Sequence, residues 1–132
     1  MDPVVHFELP CDDRERITRF FTQAFGWKAQ MLGPEMGNYV VVTTAEADAR
    51  PDGQRGAING GFFTRSKDMP AQQPGIVVGV KDIRAAMQRV TKAGGQVLGE
   101  PMDIPGVGAY VAFMDTEGNR SSMLEPKPMN PK

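Results

Sequence analysis

The chain has 132 residues, 40% of them apolar and 23% charged, and its 15 Lys+Arg against 16 Asp+Glu leave a net charge of −1. This is one domain's length of ordinary globular composition, able to bury roughly two thirds of its unfolded surface. It excludes a disordered chain and a global basic field that would hold nucleic acid or an anionic membrane. A single cysteine and a single histidine exclude a disulfide framework, a cysteine-based zinc cluster and every motif built on two histidines.

Val5, Phe7 and Leu9 alternate with Val4, His6 and Glu8, the period of a half-buried strand. Asp12, with Glu15 three residues on, has the spacing of a capping box. Ile17, Phe20, Phe21, Ala24 and Phe25 then follow helical spacing as far as Gly26. Trp27 to Met31 and Asn38 to Thr44 read as strands around a Gly33-Pro34 turn. Ala45 to Gly56 reads as a polar loop, Ala57 to Phe63 as a short strand and Arg65 to Pro74 as a connector. A β-branched run, Gly75 to Val80, precedes a helix capped by Asp82 whose Ile83, Ala86, Met87 and Val90 share a face, with Gly94 and Gly95 as its stop. Gln96 to Gly99, Ala109 to Asp115 and Arg120 to Glu125 close the series as strands, the last two joined at Glu117-Gly118-Asn119.

The grammar repeats. A shift of 69 residues carries Asp13 onto Asp82, Thr22 onto Thr91, Ala24 onto Ala93 and Gly26 onto Gly95. Each half is strand, helix, three strands. The fold expected is α+β: two βαβββ modules, about 1–65 and 74–127, paired into an eight-stranded, cup-shaped mixed sheet within one domain spanning 1–132.

Val4-Val5-His6-Phe7-Glu8-Leu9, the Phe20-Phe21 pair with Phe25-Gly26-Trp27, Ile58-Asn59-Gly60-Gly61, Ile104-Pro105-Gly106-Val107-Gly108 and Asp115-Thr116-Glu117-Gly118-Asn119 resemble the glyoxalase-related branch of the vicinal oxygen chelate superfamily. That superfamily includes glyoxalase I, bleomycin-resistance proteins and extradiol dioxygenases. The resemblance covers nearly the whole chain and speaks to fold more than to chemistry, because such folds host several activities. It implies that metal-using members take one His, Glu or Gln ligand from the first and last strand of each module. On this sequence those positions fall at His6, Gly60, Gly75 and Ser122. Two glycines and a serine hydroxyl do not make a zinc- or nickel-type donor set. A one-residue slip offers Ile76 or Pro74 in place of Gly75, and Glu125 falls on the opposite face by alternation. No metal or other cofactor is therefore expected, a divalent ion being the exception to test for.

The remaining chemistry is sparse. His6 has a pKa suited to acid–base work, against the alternative of a leftover ligand held by Glu8. Glu8 can accept a proton if it is desolvated, or pair with Arg120. Arg120 shares a face with Ser122 and suits a substrate carboxylate. A Ser122/His6/Asp115 triad lacks a nucleophile-elbow pattern. Cys11, beside two aspartates, reads as a small buried residue rather than a reactive thiol. Tyr39, Phe62, Tyr110 and several methionines offer aromatic and adaptable apolar walls.

The expectation is a protein that binds a small molecule in its cup without a catalytic metal. His6 and Glu8 are the candidate catalytic pair, and His6, Glu8, Asn59, Phe62, Tyr110, Arg120 and Ser122 the ligand contacts, Asn59 only if the glycines beside it bulge. The alternatives are a glyoxalase-I-like metal-dependent lyase or isomerase and a partner-binding or regulatory module. The resemblance implies a homodimer. With no nucleic-acid or membrane partner and no signal-like N-terminus, the location expected is cytoplasmic.

Overall fold

A computed structural model describes residues 1–45, 57–68 and 72–127. Most of the expected loop after Ala45, and residues 69–71 of the connector, lie outside the described residues. The elements are β1 (Val4–Cys11), α1 (Arg14–Phe25), β2 (Lys28–Met31), a single 3-10 turn (Pro34–Met36), β3 (Val40–Thr43), β4 (Asn59–Thr64), β5 (Gly75–Gly79), α2 (Ile83–Lys92), β6 (Gln96–Ile104), β7 (Gly108–Met114) and β8 (Arg120–Pro126). The strands hydrogen-bond in the order β2-β3-β4-β1 in the first half and β5-β8-β7-β6 in the second. β1 with β4 and β5 with β8 are parallel, and β2–β3, β3–β4, β6–β7 and β7–β8 antiparallel. Each half is a mixed α+β module of βαβββ order, as the repeat predicts. Among the described residues no helix is long and apolar enough to cross a membrane.

Two compact units divide the chain: His6–Pro74, and Met1–Val5 with Gly75–Lys132. In the first, Cys11, Val40, Val42 and Phe62 form the buried core, joined by Phe7, Leu9, Ile17, Phe21 and Trp27. Trp27 stacks on Phe21 at 4.5 Å. Phe20 and Phe25 stay exposed on α1, so the helix presents a narrower stripe to the sheet than its spacing suggests. Cys11 is a free, buried thiol, and burial pushes its pKa up. In the second unit, Val80, Ile83, Ala86, Val111 and Met123 are the core.

The helix caps follow the repeat. Asp13 accepts the backbone N–H groups of Glu15 and Arg16, and Asp82 that of Ala85, with closely matching backbone angles. Asp12, expected as the first cap, lies one residue early and instead pairs with Arg65 at 2.9 Å. β6, expected to end at Gly99, runs on to Ile104 through a register shift between Leu98 and Met102.

Candidate functional site

Alternation along β1 decides which side chains are available. Phe7, Leu9 and Cys11 belong to the core under α1, so His6 and Glu8 stand on the other face of the strand. On the neighbouring β4, His6 lies opposite Asn59, Phe7 opposite Gly60 and Glu8 opposite Gly61. Gly60 therefore faces the core: a Cβ there would meet the Phe7 ring at 2.6 Å. Gly61 faces the His6–Glu8 side, where a Cβ would lie 2.1 Å from the Tyr39 ring. Each glycine makes room for an aromatic ring on one side of the same strand.

Tyr39 fills the space that Gly61 leaves. Its hydroxyl donates to Glu8 Oε2 at 2.9 Å and lies 2.9 Å from His6 Nε2. The three groups form one connected line, carboxylate to phenol to imidazole. Arg14 of α1 steadies the approach to Tyr39, donating from Nη1 to the carbonyls of Leu32 (2.8 Å) and Asn38 (3.0 Å). Leu32 N–H in turn donates to the Tyr39 carbonyl. His6 is half-buried, and desolvation holds its pKa below the usual imidazole value against the opposing pull of Glu8. A lowered folded-state pKa means that the unfolded chain binds more protons between that value and about 6.5. The stability that neutral His6 contributes is full above about pH 6.5 and falls as the solution is acidified toward the folded-state pKa. Urea midpoints measured against pH should show this acid limb, and His6→Gln should flatten it.

In the second unit, Val77 and Ala112 flank Ser122. Ser122 is 4% exposed and donates to the Tyr110 hydroxyl at 2.6 Å. Arg120 shares that face by alternation, and its Nε is buried without a hydrogen-bond partner among the described residues. Glu125 points the other way, its Oε1 accepting the N–H of Ile83 at 2.8 Å at the start of α2. Asp115 shapes its turn by accepting from Asn119 and Glu117, bonds that lower its pKa.

Three expectations need correction. Phe62 is 1% exposed and packs in the core near Phe21, so it is not a wall of an open site. The module-one counterpart of Ser122 is Gly61 rather than Gly60, since Glu8–Gly61–Val41 align as Val77–Ser122–Ala112 do. Asn59 stands beside His6 with no need of a bulge, but its side-chain oxygen already accepts from the N–H groups of Thr44 and Ala45. The corrected alignment also exposes what sequence reasoning missed. Tyr39 and Tyr110 are the chain's two tyrosines, and each sits two residues before matched positions, Val41 and Ala112. Tyr39 is thus the polar link of the site and not only an aromatic wall.

Residues 4–123 match the profile of the Glyoxalase/Bleomycin resistance protein/Dioxygenase superfamily. The chain belongs to that superfamily. A glyoxylase-like domain-containing protein of Didymella fabae is 31% identical over 115 residues, covering 85% of this chain and 84% of the relative. Among solved structures, a hypothetical protein of Bacillus halodurans C-125 superposes with a TM-score of 0.70 at 15% identity, covering 99% of each chain. Methylmalonyl-CoA epimerase of Mycobacterium tuberculosis gives 0.68 at 12% identity, over 95% of this chain and 88% of that one. These structural likenesses show a shared fold.

The metal positions implied by that superfamily fit this chain poorly. At Gly61 the Tyr39 ring occupies the space a ligating side chain would need. At Gly75 a Cβ would come within 2.8 Å of the Arg120 carbonyl, and the Ser122 hydroxyl is engaged with Tyr110. His6 Nε2 is engaged with Tyr39. Among the described residues no three His, Cys, Asp or Glu side chains gather as a metal site needs.

Proposed function

We propose that the chain binds a small organic molecule, without a catalytic metal, on the sheet face that carries His6, Glu8 and Tyr39. The observation that carries this reading is the Tyr39 hydroxyl standing between His6 and Glu8, a hydrogen-bonded polar group where a metal-using relative needs free donor atoms. The fold agrees with a small-molecule role: one structural neighbour is a methylmalonyl-CoA epimerase in complex with methylmalonyl-CoA and NH4+. In the second unit, Arg120 beside the Ser122–Tyr110 pair suits a carboxylate. Assembly as a homodimer belongs to the same proposal, and sedimentation tests it separately.

Thermal-shift titration tests the binding reading. A library of apolar metabolites and antibiotics is expected to contain compounds that raise Tm saturably, with about 2.7 kcal/mol of stabilisation at a hundredfold excess over Kd. The shift is expected to disappear in His6→Ala. Zn²⁺, Ni²⁺, Mn²⁺ and Fe²⁺ are expected to give no His6-dependent shift. A saturable metal shift lost in His6→Ala would replace this reading with a metal-dependent lyase or isomerase.

A further inference from the structure

A phenol has one proton. Tyr39 stands within hydrogen-bond distance of two groups, Glu8 Oε2 and His6 Nε2, each at 2.9 Å. A carboxylate only accepts, so the phenolic proton goes to Glu8 and the bond to His6 forms only if Nε2 donates. In a neutral imidazole one nitrogen donates and the other accepts. Nε2–H therefore leaves the lone pair on Nδ1, which makes no hydrogen bond with the described residues.

We propose that the Glu8–Tyr39 pair locks His6 in the Nε2–H tautomer and so presents Nδ1 as hydrogen-bond acceptor and base to a ligand bearing a weakly acidic O–H or N–H, such as an activated phenol, an enol or an imide. The proposal rests on the binding reading above and names its ligand class. A base oriented by a second group, itself oriented by a third, is the logic of hydrogen-bonded catalytic relays. On proton transfer the ligand's X–H bond breaks, its electron pair stays on X, and a new N–H bond forms at Nδ1. The imidazolium keeps its Nε2–H on the Tyr39 oxygen, the phenolic proton stays directed at Glu8, and the carboxylate charge faces the new cation. Burial holds the His6 pKa below the ordinary imidazole value, so full proton transfer is confined to the more acidic of these groups, and the rest bind as hydrogen-bond donors to Nδ1. Tyr39 acts here as a positioning residue.

The single histidine makes the test clean, because a long-range proton–nitrogen correlation spectrum of the isotope-labelled protein contains one imidazole. The expected spectrum at neutral pH shows Nε2 protonated and Nδ1 bare. Tyr39→Phe is expected to return the ring to a mixture of tautomers, whereas Glu8→Gln, which keeps an acceptor oxygen, preserves the lock. Adding p-nitrophenol is expected to move the Nδ1 resonance saturably, with at least a several-fold weaker Kd in Tyr39→Phe, while p-nitroanisole, lacking the acidic proton, leaves it in place. A protonated Nδ1 in the parent protein, or the same spectrum in Tyr39→Phe, overturns the lock. Equal responses to the two probes, or none to either, overturn the ligand class. Reversal of the tautomer would leave His6-dependent binding of library compounds standing, and a silent library would remove the binding reading with the lock intact.

Discussion

Phe62→Ala is expected to cost about 3–5 kcal/mol of unfolding free energy, the range for truncating a fully buried aromatic ring. Phe62 is 1% exposed in a core shared with Cys11, Val40 and Val42 and lies 5.6 Å, ring to ring, from Phe21. Removing it leaves a cavity between β4 and α1 that the surrounding strands cannot close. For a domain holding about 5–15 kcal/mol in all, that is a large share of its stability. Urea unfolding with a constant m-value measures it, and Phe63→Ala on the opposite face of β4 should cost less. The experiment also discriminates between roles: were Phe62 a wall of an open site, truncation would cost under about 1 kcal/mol, as surface changes far from such features do within a few tenths, and would abolish ligand binding instead.

Gly61→Ala is the second large effect. A Cβ placed 2.1 Å from the Tyr39 ring and hydroxyl is a contact that no folded chain sustains, so Tyr39 must swing away. Its hydrogen bonds to Glu8 and to His6 break together. Overpacking of this kind costs about 1–3 kcal/mol, and the His6 ring loses its fixed donor. The added methyl group is harmless once the ring is gone. Gly61→Ala in a Tyr39→Ala background should therefore cost much less than in the parent chain, and the double-mutant cycle isolates that coupling. An unchanged melting profile for the single variant would place the Tyr39 ring elsewhere.

The architecture was legible because it is written in period and punctuation. The strand alternation of Val4 to Leu9, the helical spacing from Ile17, and the 69-residue shift linking Asp13 to Asp82 are all carried by side chains whose polarity reports a face. The site was legible only in part, for the same reason. His6 and Glu8 fall on the open face because the apolar Phe7 and Leu9 between and beyond them mark the other. At Gly60-Gly61 there is no side chain to report a face, so the register of β4 cannot be read from composition, and an error of one residue reverses what each position meets. That error hid the counterpart of Ser122 and made Phe62 look available. Tyr39 was recognisable as an aromatic but not as a bridge, since its partners are 31 and 33 residues distant in the chain, and only the paired strands bring them within reach. The far end of β6 was hidden in another way: a register shift between Leu98 and Met102 lets the strand continue past Gly99 to Ile104.

Trp27, the chain's sole tryptophan, is stacked on Phe21 within the unit formed by His6–Pro74. Its fluorescence is consequently a private optical channel for that half of the molecule, while circular dichroism averages over both. Superimposable melting curves from the two signals would mark a single cooperative transition; curves that part company would reveal halves that melt independently.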